Sequence, residues 1–110
     1  MRKLLFIFAL IFIVSCDKHD IIEFTITDFS KKRIDTLIPY ENKTYVVFFI
    51  SVKGFSNDSI KIKRKGYYDI QLNGDIDTIV RYDYYGGENV IIEFNPYKAT
   101  EGKLDIEYNL

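Results

Sequence analysis

The chain has 110 residues, with 15 Lys and Arg against 16 Asp and Glu for a net charge of −1, one Cys and no Trp. That length holds one small domain, and the even charge argues against nucleic acid as the main partner, which normally requires a basic excess. A single Cys can form neither an internal disulfide nor a thiolate metal cage.

The chain starts with the basic run Met1-Arg2-Lys3, followed by an unbroken apolar stretch from Leu4 to Val14. A membrane-spanning helix needs about 20 apolar residues. This shorter stretch has the length of the hydrophobic region of a secretory signal, and the polar run Asp17-Lys18-His19-Asp20 follows at once. Ile13-Val14-Ser15-Cys16 resembles the lipobox of bacterial lipoprotein precursors, with a branched apolar residue three before the Cys and a small residue just before it. Val14 is a tolerated rather than a preferred residue at its place in that motif. The resemblance implies cleavage before Cys16, a diacylglyceryl thioether on its sulfur and an N-acyl chain such as palmitate. Residues 1–15 are then a signal peptide, 16–20 the lipidated Cys and its tether, and 21–110 the domain. Two or more acyl chains, at about 0.8 kcal/mol per buried methylene, hold a protein on a membrane stably. The implied location is the bacterial cell envelope, with inner and outer membrane both open. The competing readings are an ordinary secretory signal beside a chance Cys, or a short N-terminal anchor.

After Cys16 the composition favours strands: Ile, Val, Phe, Tyr and Thr dominate, Leu is scarce and Ala99 stands alone. Period-2 alternation puts Ile22, Phe24 and Ile26 on one face and Glu23, Thr25 and Thr27 on the other. Residues 30–40 give the weakest pattern. Tyr45 to Ile50 has no polar face and reads as a central strand, covered on both sides or with an aromatic outer face; Gly54 to Asp58 is predicted to end it. Ile60 and Ile62 then alternate with Lys61 and Lys63, and Tyr68, Ile70 and Leu72 with Asp69 and Gln71. Asn73-Gly74 suits a two-residue hairpin turn. Ile76, Thr78, Val80, Tyr82 and Tyr84 share the next face; Gly86-Gly87 is a second turn, so 66–95 is predicted to be a three-strand meander ended by Asn95-Pro96. Leu104, Ile106, Tyr108 and Leu110 alternate with Lys103, Asp105, Glu107 and Asn109. The pattern gives seven or eight short strands without a helix, which points to an all-β, antiparallel β-sandwich, immunoglobulin-like in architecture only, with a small closed barrel as the alternative. The paired Cys and core Trp of true immunoglobulin domains are absent.

No catalytic constellation stands out. The sole His, His19, falls in the expected tether, and the carboxylates of Asp69, Asp75, Asp77, Asp83 and Glu93 read as solvated strand faces. Asn73-Gly74-Asp75-Ile76-Asp77 starts like a calcium loop, but Thr78 and Tyr84 occupy the Gly and Glu positions such a loop requires. No enzyme activity, metal or cofactor is therefore expected. Lys61, Lys63, Arg64 and Lys65 form a basic stretch, which Lys31-Lys32-Arg33 could extend. Such lysines commonly blunt a sheet edge; the functional reading is a surface for an anionic partner. Tyr67 and Tyr85 are predicted to lie on the face opposite a core of Tyr68, Tyr82 and Tyr84, where rings can stack on sugars or anchor a protein. Asp35-Thr36-Leu37, Asp58-Ser59-Ile60 and Asp77-Thr78-Ile79 resemble bacterial O-glycosylation sequons, with Ser59 the best placed of the three. The leading expectation is a small lipid-anchored envelope protein, held by Cys16, acting as a structural or protein-binding module. A glycan- or polymer-binding lipoprotein using Tyr67, Tyr85, Lys61, Lys63 and Lys65 is the second expectation, and an envelope enzyme inhibitor the third. Nucleic acid is not expected as a partner.

Overall fold

The computed structural model describes residues 19–110. Cys16, the signal peptide expected over residues 1–15 and most of the expected tether lie outside the described residues. Six strands form one antiparallel sheet: β1 Ile21–Ile26, β2 Arg33–Leu37, β3 Val47–Arg64, β4 Ile70–Asp83, β5 Val90–Asn95 and β6 Gly102–Asn109. None of the described residues is helical, so no helix among them is long and apolar enough to cross a membrane.

The pairing makes four long strand lines. β4 lies along one side of β3 for nearly its whole length. The other side of β3 is taken first by β6, opposite residues 49–56, and then by β5, opposite residues 61–64. β1 in turn lies on β6, and β2 on β5. Every line is therefore interrupted or kinked near its middle, and the sheet is creased across all four. The crease is deep. Arg64 and Phe48 lie in the same strand, sixteen residues apart, yet the guanidinium carbon sits 5.2 Å from the Phe48 ring centroid. An extended strand would separate them by about 50 Å. At the outer line, the ends of β1 and β2 also come together, through a bridge between His19 and Ile38. The result is a sheet rolled almost into a barrel.

The alternation explains which face is inside. Ile26, Phe48, Ile50, Val52, Ile60, Ile62, Ile76, Val90, Ile92, Phe94, Leu104, Ile106 and Tyr108 are buried in a single cluster drawn from both halves. Each fully buried aliphatic side chain stabilises the fold by about 1.5–3 kcal/mol. Phe24 packs edge-on against Tyr108 at 5.4 Å, and Phe29, in the β1–β2 connection, against Phe94 at 6.3 Å.

Several expectations are corrected. The described residues form six strands where the sequence pattern gives seven or eight, because two turn-like segments do not turn. Gly54 to Asp58 does not end a strand; β3 runs through it. Asn73-Gly74 is no hairpin but lies within β4, where Gly74 faces Ser56 and the register slips before Ile60 pairs with Leu72. This extra length on β3 is a bulge, which bends a strand without stopping it. Residues 66–95 are not a meander, since β4 and β5 are not neighbours. Residues 33–37 of the weakest stretch are β2. Tyr68 precedes β4 and is 95% exposed rather than in the core. In the Phe-rich strand Phe48 and Ile50 are buried and Phe49 only half-buried, so the aromatic outer face is the observed case.

Two glycines make the crease close. Gly54 and Gly102 adopt φ of 138° and 148°, a region that side chains rarely enter. They lie diagonally across the β3–β6 ladder. A Cβ on Gly54 would run into the Lys103 carbonyl oxygen, and one on Gly102 into that of Phe55. The bulge is then laced to the β5–β6 connection. The Asn57 side chain accepts hydrogen bonds from the N–H groups of Thr100 (2.9 Å) and Glu101 (3.2 Å) and donates to the Thr100 hydroxyl (2.8 Å). The Ser59 carbonyl accepts from the N–H groups of Lys98 and Ala99. Ser59 itself is only 7% exposed, so the sequon expected to be the best placed of the three has its hydroxyl residue buried in the crease.

Candidate binding surfaces

The crease gathers the strand ends at one pole of the molecule, and the predicted site residues divide between that pole and the outer face of β2, β5 and β3. On the outer face Ile34, Glu93 and Lys63 stand side by side across the three strands. With Ile91 and Lys65 they line a shallow groove of ≈ 310 Å³. Ile34 is 65% exposed, unusual for a large aliphatic side chain in a strand. It also lines the neighbouring depression that contains Lys31 and Lys32. The basic turn before β2 therefore does border the Lys63–Lys65 surface, with Ile34 between them. Arg33 also lines that depression, but its charge is already engaged: it binds Asp35 through Nε (2.7 Å) and Nη2 (3.2 Å), and its guanidinium lies 3.8 Å over the Phe24 ring. Lys61 is also engaged, 3.6 Å from the Asp69 carboxylate and 4.0 Å over the ring of Tyr97. Among the predicted lysines, the groove thus brings Lys63 and Lys65 together and leaves Lys61 outside.

Tyr67 and Tyr85 also part company. Tyr67 meets Tyr82 edge-on at 5.2 Å, and the Arg64 guanidinium covers it at 4.1 Å. Arg64 is the residue that a reading by charge alone misplaces. It is 4% exposed and points inward, against Phe48, Tyr67 and Tyr82. Its Nη1 has no hydrogen-bond partner among the described residues. Cation–π attraction, about 0.5–2 kcal/mol per favourable ring, is what compensates the buried charge. Alternation carries the signal for this placement, since Ile60, Ile62 and Arg64 share one face. With Arg64 over its ring, Tyr67 is a poor platform for a sugar.

Tyr85 stands 83% exposed in the β4–β5 connection. It shares a depression with Tyr40, Lys43 and Tyr45 of the β2–β3 connection. Tyr84 beside it is buried, packs on Tyr45 and donates a 2.6 Å hydrogen bond to the Glu88 carbonyl, which fixes the loop. Burial pushes the Tyr84 phenol above its usual range, with the nearby Glu88 charge adding to the effect.

His19 and Asp20, assigned to the tether from sequence, are held in the fold. The His19 N–H donates to the Ile38 carbonyl at 3.1 Å, and the Ile38 N–H donates back at 2.7 Å. The Asp20 carboxylate accepts from Lys43 Nζ and from the Tyr45 hydroxyl, both at 3.0 Å. Partial burial works against its ionisation, but these hydrogen bonds and the ammonium charge prevail and hold the carboxyl below its usual range. No group of three His, Cys, Asp or Glu side chains placed to hold a metal ion occurs among the described residues. No protein-family model, curated protein or solved structure matches the chain.

Proposed function

We propose that the protein is a small lipid-anchored module of the bacterial envelope that binds another protein through the Ile34 groove, without catalysis of its own. The anchor rests on one observation, the apolar run ending in Ile13-Val14-Ser15-Cys16, whose Cys is the only one in the chain. The binding role rests on the groove itself. Exposed Ile34 and half-buried Ile91, rimmed by Lys63, Lys65 and Glu93, offer the mix of apolar contact and charged rim that protein interfaces use. In layer terms we read the creased sheet as sandwich-like, its two halves facing each other across the core, with likeness to immunoglobulin domains limited to that architecture.

The intact mass of membrane-extracted protein tests the anchor. The expected species begins at Cys16 and carries two or three acyl chains; a mature chain without lipid refutes it. Photo-cross-linking from position 34 in the native envelope tests the groove. A discrete adduct that is lost in Lys63→Glu supports it, and labelling no stronger than from the exposed Asn57 refutes it. The glycan reading is the weaker one here, because Arg64 already covers Tyr67.

A further inference from the structure

We propose that the pole bearing Tyr40, Val46 and Tyr85 lies against the bilayer that holds the anchor, so that the domain is docked on the membrane in one orientation rather than swinging from it. The inference rests on the lipid-anchor reading above and adds the geometry that a lipidated Cys16 imposes on the fold.

The length of chain between anchor and fold carries the argument. Both backbone groups of His19 are paired with Ile38, so the fold extends at least as far back as residue 19. Only Asp17 and Lys18 separate it from Cys16. Three residue steps reach about 11 Å at most. The headgroup layer that this segment must cross is about 5–8 Å thick, the difference between the full bilayer and its hydrocarbon core shared between two leaflets. The slack left is about one strand spacing. Whatever surrounds residue 19 must therefore sit at the headgroups.

The surroundings suit that position. Asp20 clamps the β2–β3 connection to the start of the fold through Lys43 and Tyr45. The same connection carries Tyr40 and Val46, 37% and 64% exposed, and faces Tyr85, 83% exposed. Tyrosine rings, apolar in body and polar at the tip, favour the boundary between headgroups and acyl chains. Lys43 is already paired with Asp20, so attraction by the rings rather than a field of free lysines sets the contact. The crease, with Phe55 and Tyr97, lies at the other end of the strands and points away from the membrane. The Ile34 groove, on the outer face of β2, β5 and β3, is then left open to a partner.

The absence of Trp gives a clean test. Tyr85→Trp, Val46→Trp and Phe55→Trp are made separately in the full chain, purified from membranes and reconstituted in phosphatidylcholine–phosphatidylglycerol vesicles whose acyl chains are brominated near the headgroup. The expected result is loss of about half the emission at positions 85 and 46, where an interfacial ring would sit, and little change at 55. The intact mass of each sample is measured alongside. Acylated protein with quenching at 85 and 46 no greater than at 55 overturns the docking and leaves the anchor standing. Blue-shifted but unquenched emission from the Tyr85→Trp variant means that protein covers the patch, which also overturns it. Absence of acyl chains removes the anchor reading and this inference together.

Discussion

Gly102→Ala is the sharpest test of the crease. Gly102 has a φ of 148°, and a methyl group there meets the Phe55 carbonyl oxygen and the Ser56 Cα across the ladder. The backbone strain alone costs about 1–3 kcal/mol. The clash cannot be relieved by a rotamer change, since the atoms in the way are main chain and belong to the β3–β6 ladder that runs from Ser56 to Phe49. Parting that ladder at its crease end sacrifices one or two hydrogen bonds, about 1 kcal/mol each. The expected loss is therefore about 2–5 kcal/mol, a large share of the roughly 5–15 kcal/mol by which domains of this size are stable. In urea, with a slope of about 1–1.5 kcal/mol/M for a small domain, the midpoint should fall by about 1–5 M. Gly87→Ala is the control: no atom lies within 4 Å of its Cβ position, and it should stay within about 0.5 kcal/mol of the parent. Gly54→Ala should behave like Gly102→Ala. The double variant should lose less than the sum, because the first substitution already opens the ladder that the second would strain. A Gly102→Ala variant within about 0.5 kcal/mol of the parent would refute the close approach of β3 and β6 on which the crease depends.

Three further outcomes concern groups in the core and at the pole. Tyr108 is fully buried, its hydroxyl lacks a hydrogen-bond partner among the described residues, and burial raises its phenol far above the usual range. Tyr108→Phe keeps the edge contact with Phe24 and removes the unsatisfied group, so it should raise stability by about 1 kcal/mol in chemical denaturation; a loss of that size would mean that the hydroxyl is satisfied. Asp20 ionises below its usual value of 3.8 in the fold, so its contribution is complete above that pH and disappears as the pH falls through the lowered folded value. Asp20→Asn should flatten the acid limb of a stability–pH curve below about pH 4 and lower stability at neutral pH, and an unchanged acid limb would contradict the clamp. At position 64 the substitutions should rank against chemical conservatism. Arg64→Met removes a buried charge and fills the space, changing stability by less than about 1 kcal/mol. Arg64→Lys retains a more strongly hydrated cation that cannot stack, and should cost about 2 kcal/mol in the same urea titration. The reverse order would show that the guanidinium is held by more than rings.

The strands were legible in the sequence wherever one face is dry and the other wet. β1, β6 and the later half of β4 follow the alternation residue by residue, because burial on one side of a pleated strand leaves a period of two. The places where the reading failed are those where turn residues serve another end. Gly54 and Asn73-Gly74 carry turn chemistry, but tertiary pairing with β6 and across the β3–β4 ladder uses it to bend continuous strands, and local sequence does not distinguish a bend from a stop. Tyr68 fails for a related reason, since the alternation that orients Ile70 and Leu72 has no hold on a residue outside the ladder. Of the proposed binding residues, Lys63 and Lys65 do come together, while Lys61 is drawn off by Asp69 and Tyr97. Ile34, the residue that gives the groove its apolar contact, was hidden in the weakest stretch of the pattern, with only its position in β2 beside Glu93 to reveal it.

The shared strands also govern how the chain can fold and breathe. In two stacked sheets joined only by loops, one layer can loosen while the other persists. Here β3 and β4 each run through both halves, and the crease welds them with backbone that has no freedom to swivel. Amide hydrogens at Ile50 and Ile62, on opposite sides of the crease, should therefore exchange with solvent through the same global opening rather than through separate local ones. Because most partners are distant in sequence, that single cooperative unit should form slowly, on the millisecond-to-second scale of domains built from non-local pairing. A nascent chain must emerge as far as β6 before β3 has its full set of neighbours, so the exposed interval during synthesis is nearly the length of the domain itself.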